Sequence, residues 1–197
     1  MLRLLALIAA LGLSACGSTT FPMPYEPTGT VVGNRAPGPV AQMSEVTVTR
    51  RTGREDATWM GTIRGGYGNP LKAIHADRPI DQVVHAAFDS ALQARGWRAS
   101  QAPRVQASVE VTQFDANRYA RQEATVALTL RLRDRTGRHI LQESERVYNV
   151  TGSVLALDTG IFASSEELRG LMLRTMNEAI DKLLDRPSVA AALAGAS

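Results

Sequence analysis

The sequence predicts an α+β domain, an antiparallel β-sheet with two helices packed on one face in the order β-β-α-β-β-β-α, on three observations. Apolar and polar residues alternate over 105–111 and, apart from Ala127, over 124–132, which marks strands with one core face. Apolar residues spaced three and four apart mark two helices, one from about Pro79 and one from about Ser164. Each helix has a single apolar face and must bury it, and the half-apolar sheet is the surface available. The domain is expected over 43–187, after a leader over 1–15 and a tether over 16–42, with a tail over 188–197.

At the amino terminus, Met1-Leu2-Arg3 precedes an apolar run from Leu4 to Leu13 and then Ser14-Ala15-Cys16, the successive parts of a secretory leader. The run is too short to cross a bilayer as a helix, which takes about 20 residues. Leu13-Ser14-Ala15-Cys16 resembles a lipobox, in which the thiol is acylated and becomes the new amino terminus. Cys16 is the only cysteine, so no intramolecular disulfide competes for it. The alternative is a leader that merely contains a cysteine. The resemblance implies a three-chain modification, and two chains already anchor stably. Gly17 stands where an aspartate would favour inner-membrane retention, which implies the outer membrane with the domain facing the periplasm.

From Gly17 to about Gln42, Pro22, Pro24, Pro27, Pro37 and Pro39 exclude helix and ladder, so the segment reads as a solvated leash. Its alternative is docking of Phe21, Met23 and Tyr25 on the domain. Val46 and Val48 alternate with threonines as a first strand, and 59–64 forms a second. The first helix starts at Pro79 with Asp77 or Arg78 at its cap, and Gly96 stops it. Asp134-Arg135-Thr136-Gly137 turns the 124–132 strand into a return strand over 138–150. Ser164 and Glu167 form a capping box for the last helix, which ends before Pro187.

Lys and Arg number 22 against 19 Asp and Glu, and removal of the leader takes only Arg3. So balanced a charge excludes a nucleic-acid partner. The glycines of 61–68 cluster between a strand and a helix, where bare amides suit an anion. The Gly-Lys-Ser/Thr ending of a phosphate loop is missing, and a tight connector is the simpler reading. If the loop grips a ligand or partner, Arg64, Tyr67, Asn69 and Lys72 are the residues to do it. His75, His85 and His139 lack metal-ligand spacing, and acylation of Cys16 leaves no thiolate, so neither metal nor cofactor is expected. No serine sits in a Gly-x-Ser-x-Gly elbow. Glu110 with Asp115, or Glu143 with Glu145, are the carboxylate pairs, and the second reads more simply as a solvated strand face. Arg131, Arg133, Arg135 and Arg138 surround one hairpin, either solvated or facing an anionic polymer or lipid headgroup.

The lipobox, the segment 59–71, the helix ending at Gly96-Trp97 and the run Arg146-Val147-Tyr148-Asn149-Val150-Thr151-Gly152 together resemble the YajG-type family of proteobacterial lipoproteins. That resemblance spans nearly all of the mature chain and brings no reaction or catalytic residue. The expectation is a non-enzymatic, lipid-anchored adaptor that binds an envelope protein or peptidoglycan. A carrier or transporter accessory holding a lipid in an apolar cavity is the alternative.

Overall fold

Where alternation is strictest, the longest strands form. In the computed structural model, which describes residues 18–31, 38–50, 56–152 and 165–196, β5 (Val105–Arg118), β6 (Gln122–Asp134) and β7 (His139–Thr151) make an antiparallel meander. Val105, Ala107, Val109 and Val111 are buried together with Ala124, Val126, Leu128, Leu130 and Leu132. A register shift between Val111 and Gln113 switches the inward parity from odd to even, so that Phe114 and Ala116 are buried too. The opposite face stays polar, with Arg131 bonded to Glu110 at 2.6 Å and Thr129 to Ser144 at 2.9 Å.

Four more strands complete the sheet, and three of their pairings are parallel. β2 (Ala41–Val48) runs parallel to the first half of β5, and β3 (Trp59–Arg64) parallel to its last residues. β4 (Pro70–Ala76) is antiparallel to β3, and β1 (Ser18–Phe21) is parallel to β4. The order is β1-β4-β3-β5-β6-β7, with β2 on the same side of β5 as β3. The expected wholly antiparallel sheet is thus a mixed one. Alternation encodes which face a residue takes, whereas strand direction depends on which distant segment reaches a free edge.

Both helices expected on one face are present. α1 (Ile80–Ala94) buries Ile80, Val83, Val84, Ala87, Phe88, Ala91 and Leu92. Pro79 itself is its cap and makes no side-chain cap bond, in place of Asp77 or Arg78. Gly96 at φ +70° ends it, with Gly96 N–H donating to Gln93 O and Trp97 N–H to Leu92 O, the paired bonds of a Schellman stop. α2 (Ser165–Leu184) buries the expected stripe from Leu168 to Leu184; Ser164, its expected cap, lies outside the described residues, as do Cys16 and the leader. Beyond it, α3 (Pro187–Gly195) occupies what reads in sequence as a tail. It starts on a proline, whose fixed φ suits a first helical turn, and it buries Val189 and Leu193.

Within the segment expected to be a solvated leash, residues 18–31 and 38–42 are described, and in the first of these Phe21, Met23 and Tyr25 dock on the domain, the alternative reading of that stretch. Phe21, Met23 and Tyr25 turn inward while Pro22, Pro24 and Glu26 face out, and Met23 is only 1% exposed. Prolines forbid a ladder but favour extension, and an extended chain presents every second residue to one side. The stretch therefore works as a strap over the helices.

Candidate functional site

Two ends of the sheet concentrate the residues that the fold leaves available. At one end lie the β3–β4 turn, the β5–β6 turn, the end of β7 and the start of α2. The glycine-rich segment is the first of these turns, so it joins two strands and not a strand to a helix. Gly65 N–H donates to Asn69 O at 2.9 Å and Gly68 N–H to Gly65 O at 2.8 Å, with Gly68 at φ +79°. Arg64 donates to Asn117 Oδ1 and to Gly68 O, which braces the turn. Tyr67 at the tip is 101% exposed, Asn69 is exposed and Lys72 is half-buried. The four candidates are therefore neighbours, but they form no concave grip.

Sequence reasoning missed the rest of this surface. Tyr119, in the β5–β6 turn, donates its hydroxyl to Gly66 O at 3.0 Å and ties the two turns together. Arg121 bonds Glu123 and donates to the Tyr148 hydroxyl at 3.3 Å. Leu71, Tyr119, Tyr148 and Val150 are all about half exposed, so five of the six exposed large hydrophobics among the described residues, Tyr67 included, belong to this end. Arg64 and Lys72 have no carboxylate partner among the described residues. The signal was present as tyrosines flanking two turns, but the turns are 50 residues apart in sequence and meet only through β3–β5 pairing.

The opposite end carries a cleft of about 720 Å³ between the β6–β7 turn, the start of β5 and α3. Ile140, Ala192 and Ala196 contribute its apolar part, and Arg104, Arg135 and Arg138 its cationic rim. Asp134 is committed to the turn: it accepts from the Thr136 hydroxyl and amide and from Arg138, which hold its carboxyl down at about 2. Arg135 donates to Pro103 O, while Arg104 has no side-chain partner among the described residues. A second cleft of about 770 Å³ lies between strap residues 26–28, the end of β7 and the outer side of α2.

Between the two ends a buried charge network fixes the strap. The Arg95 side chain, 0% exposed at the end of α1, donates to Asp181 at 2.9 Å and to Asp185 at 2.8 Å. It also donates to the Tyr25 hydroxyl at 3.1 Å, and Tyr25 donates to Asp181 at 2.5 Å. Thr28 donates to the other Asp181 oxygen through both amide and hydroxyl. Burial, and then the bond to Asp181, push the Tyr25 phenol up to about 12. For Asp181 burial raises the carboxyl, but the bonds from Thr28, Tyr25 and Arg95 outweigh it and hold it below its usual range. With both Asp181 oxygens and the Tyr25 hydroxyl matched to donors, the network is structural.

Elsewhere several charged groups are likewise engaged in the fold. Glu143 and Glu145, expected on a solvated face, both pair with Arg186, whose guanidinium also caps Ser144 O on the sheet edge. His75 meets Thr58 and Asp56 through the same Nδ1 atom, so the trio is a turn brace and not a proton relay. Among the described residues no three His, Cys, Asp or Glu side chains gather as metal ligands, and no helix is long and apolar enough to cross a membrane.

No family model and no curated protein matches the chain by sequence. Solved structures do match in fold. A Xanthomonas campestris protein of the DUF330 family superposes with a TM-score of 0.61 at 10% identity, over 89% of this chain and 96% of its own. An uncharacterized protein gives 0.51 at 12% identity, over 84% and 95%. A putative lipoprotein from Caulobacter crescentus gives 0.42 at 22% identity, over 57% and 81%. At such identities the first two show a shared fold and nothing finer.

Proposed function

We propose that this chain is a YajG-type lipoprotein, acylated at Cys16 in the outer membrane, that works as a non-enzymatic periplasmic adaptor. The observation that carries the adaptor reading is the cleft with an arginine rim and an apolar floor. Three guanidiniums with one committed carboxylate beside Ile140 and Ala192 suit an acidic protein segment or cell-wall peptide. The carrier reading needs an apolar cavity between helices and sheet, whereas Phe88, Phe114, Met172 and Met176 fill that space and are fully buried. A photo-crosslinker at Ile140 in intact cells tests the adaptor. Recovery of one specific envelope protein or glycan, lost in the Arg104→Glu, Arg138→Glu double variant, is the expected result. Equal recovery from the double variant would remove the cleft from the reading.

A further inference from the structure

We infer that the end of the sheet bearing Tyr67, Leu71, Tyr119 and Tyr148 is a membrane-facing surface, seated in the headgroup layer of the bilayer that receives the Cys16 acyl chains. The inference rests on the proposed acylation of Cys16 and adds the orientation of the domain.

The distance from anchor to fold is the first ground. Only Gly17 separates Cys16 from β1, and Ser18 is paired with Ala73 of β4. Because β1 runs parallel to β4, its amino end at Ser18 lies on the side of β4 that leads to Leu71 and the β3–β4 turn. Two residues of fully extended chain reach about 7 Å. The interfacial layer of a bilayer is itself about 7 Å deep on each side. An acylated Cys16 therefore holds Ser18 within one headgroup layer of the acyl chains, and the turn beside it goes to the same depth. A leash running from Gly17 to Gln42 would leave the domain free to tumble, whereas β1 and the strap residues up to Thr28 already lie on the domain.

Composition is the second ground. Tyrosine is enriched where membrane meets water, because an apolar ring with a polar tip suits both sides. Tyr67 has no packing to justify its exposure, while Tyr119 and Tyr148 have their hydroxyls already bonded to Gly66 O and Arg121 and leave their rings about half exposed. Arg64 and Lys72, without carboxylate partners, add a charge that anionic headgroups match. At the other end the arginine cleft has no large exposed hydrophobic residue and points away from the lipid.

The experiment uses the full acylated chain, purified from membranes and reconstituted in phosphatidylethanolamine–phosphatidylglycerol vesicles. With Cys16 acylated, Tyr67→Cys and Arg138→Cys each carry one free thiol for an environment-sensitive fluorophore. The sites are at opposite ends of a sheet whose strands of 13 residues span about 40 Å. Nitroxide placed at the headgroup should quench the label at Tyr67 at least about fivefold more than at Arg138, since the interfacial zone is only ~5–10 Å deep. Protein that floats with the vesicles but shows equal quenching, or none at Tyr67, overturns the orientation while leaving the anchor intact. Protein that fails to float refutes the acylation and the orientation with it. A label at Tyr67 shielded from aqueous quencher but untouched by lipid nitroxide assigns the surface to a protein neighbour and also overturns the inference.

Discussion

The two ends of the sheet are made from similar parts, tight turns flanked by arginines, and they differ in curvature and in where the apolar atoms lie. At the tyrosine end the rings stand outward and the guanidiniums of Arg64 and Arg121 are spent on Gly68 O, Asn117, Glu123 and Tyr148. At the arginine end the apolar atoms of Ile140 and Ala192 are recessed and the guanidiniums form the rim. A convex surface with apolar tips needs no shaped partner, and a fluid interface satisfies it. A concave one with fixed charges selects for shape and sign. Under the proposed orientation the same residue types would serve two purposes, and the pairing of β1 with β4 would set which end is next to the proposed anchor.

The largest effect expected on this contrast comes from the anchor itself. If Cys16 carries the proposed acyl chains, Cys16→Ser should move the protein from the membrane fraction to the soluble one, read by fractionation and immunoblotting; full membrane retention would sink the anchor. Next is Arg95→Ala, which touches neither end and removes one of the strap's contacts, the bond to Tyr25. It leaves Asp181 buried without its cation, a defect worth about 3–5 kcal/mol in comparable buried pairs. Asp185 is 35% exposed, so the lower part of that range is expected in urea unfolding. Arg121→Ala, at an exposed pair, should leave unfolding unchanged. Equal losses in the two variants would mean that the network does not hold the fold.

A smaller loss isolates the tyrosine end. Gly61 sits on β3 where a Cβ would come within 2.5 Å of Ala116 O on β5. Gly61→Ala must push those strands apart, at about 1–3 kcal/mol. Because β3–β5 pairing is what brings the Tyr67 and Tyr119 turns together, the variant should also weaken vesicle association of the acylated chain; unchanged stability would show that the strands yield without cost.

How much of this was legible follows from the range of each interaction. The faces of β5 and β6, the stripes of α1 and α2, the Gly96 stop and the Asp134–Gly137 turn are local patterns, and the sequence displays them directly. Strand direction, β1, β4 and the docked strap depend on contacts between distant segments. Phe21, Met23 and Tyr25 sit among prolines, which state that the chain is extended but not whether it lies on a surface. Of the surface residues, Arg64, Tyr67, Asn69 and Lys72 stood out because glycines drew attention to one turn. Tyr119 and Arg121 carry no motif, Tyr148 appears only within the run 146–152, and all three join that turn only in three dimensions. The Arg95–Asp181–Asp185 network was invisible for the same reason, since its members lie on two helices and its cover is the strap.

The finest test separates the strap from the helices beneath it. Tyr25→Phe keeps the ring packed and removes one hydroxyl, with its bonds to Asp181 and Arg95, for about 1 kcal/mol. Its pH dependence is more telling than its size. The Tyr25 phenol is raised in the folded protein, so its contribution is complete below the ordinary value of 10.0 and is lost as pH rises through about 12. Asp181 is lowered, so its contribution is complete above 3.8 and is lost as pH falls below it, through the depressed folded value. Wild type should therefore lose stability along both limbs, and Tyr25→Phe should flatten the alkaline limb while the acid limb remains. Urea midpoints measured across both limbs decide it: an alkaline limb equally steep in the variant would mean that the strap is held by Met23, the Thr28–Asp181 bonds and the Arg169–Pro22 bonds, with the phenol a bystander.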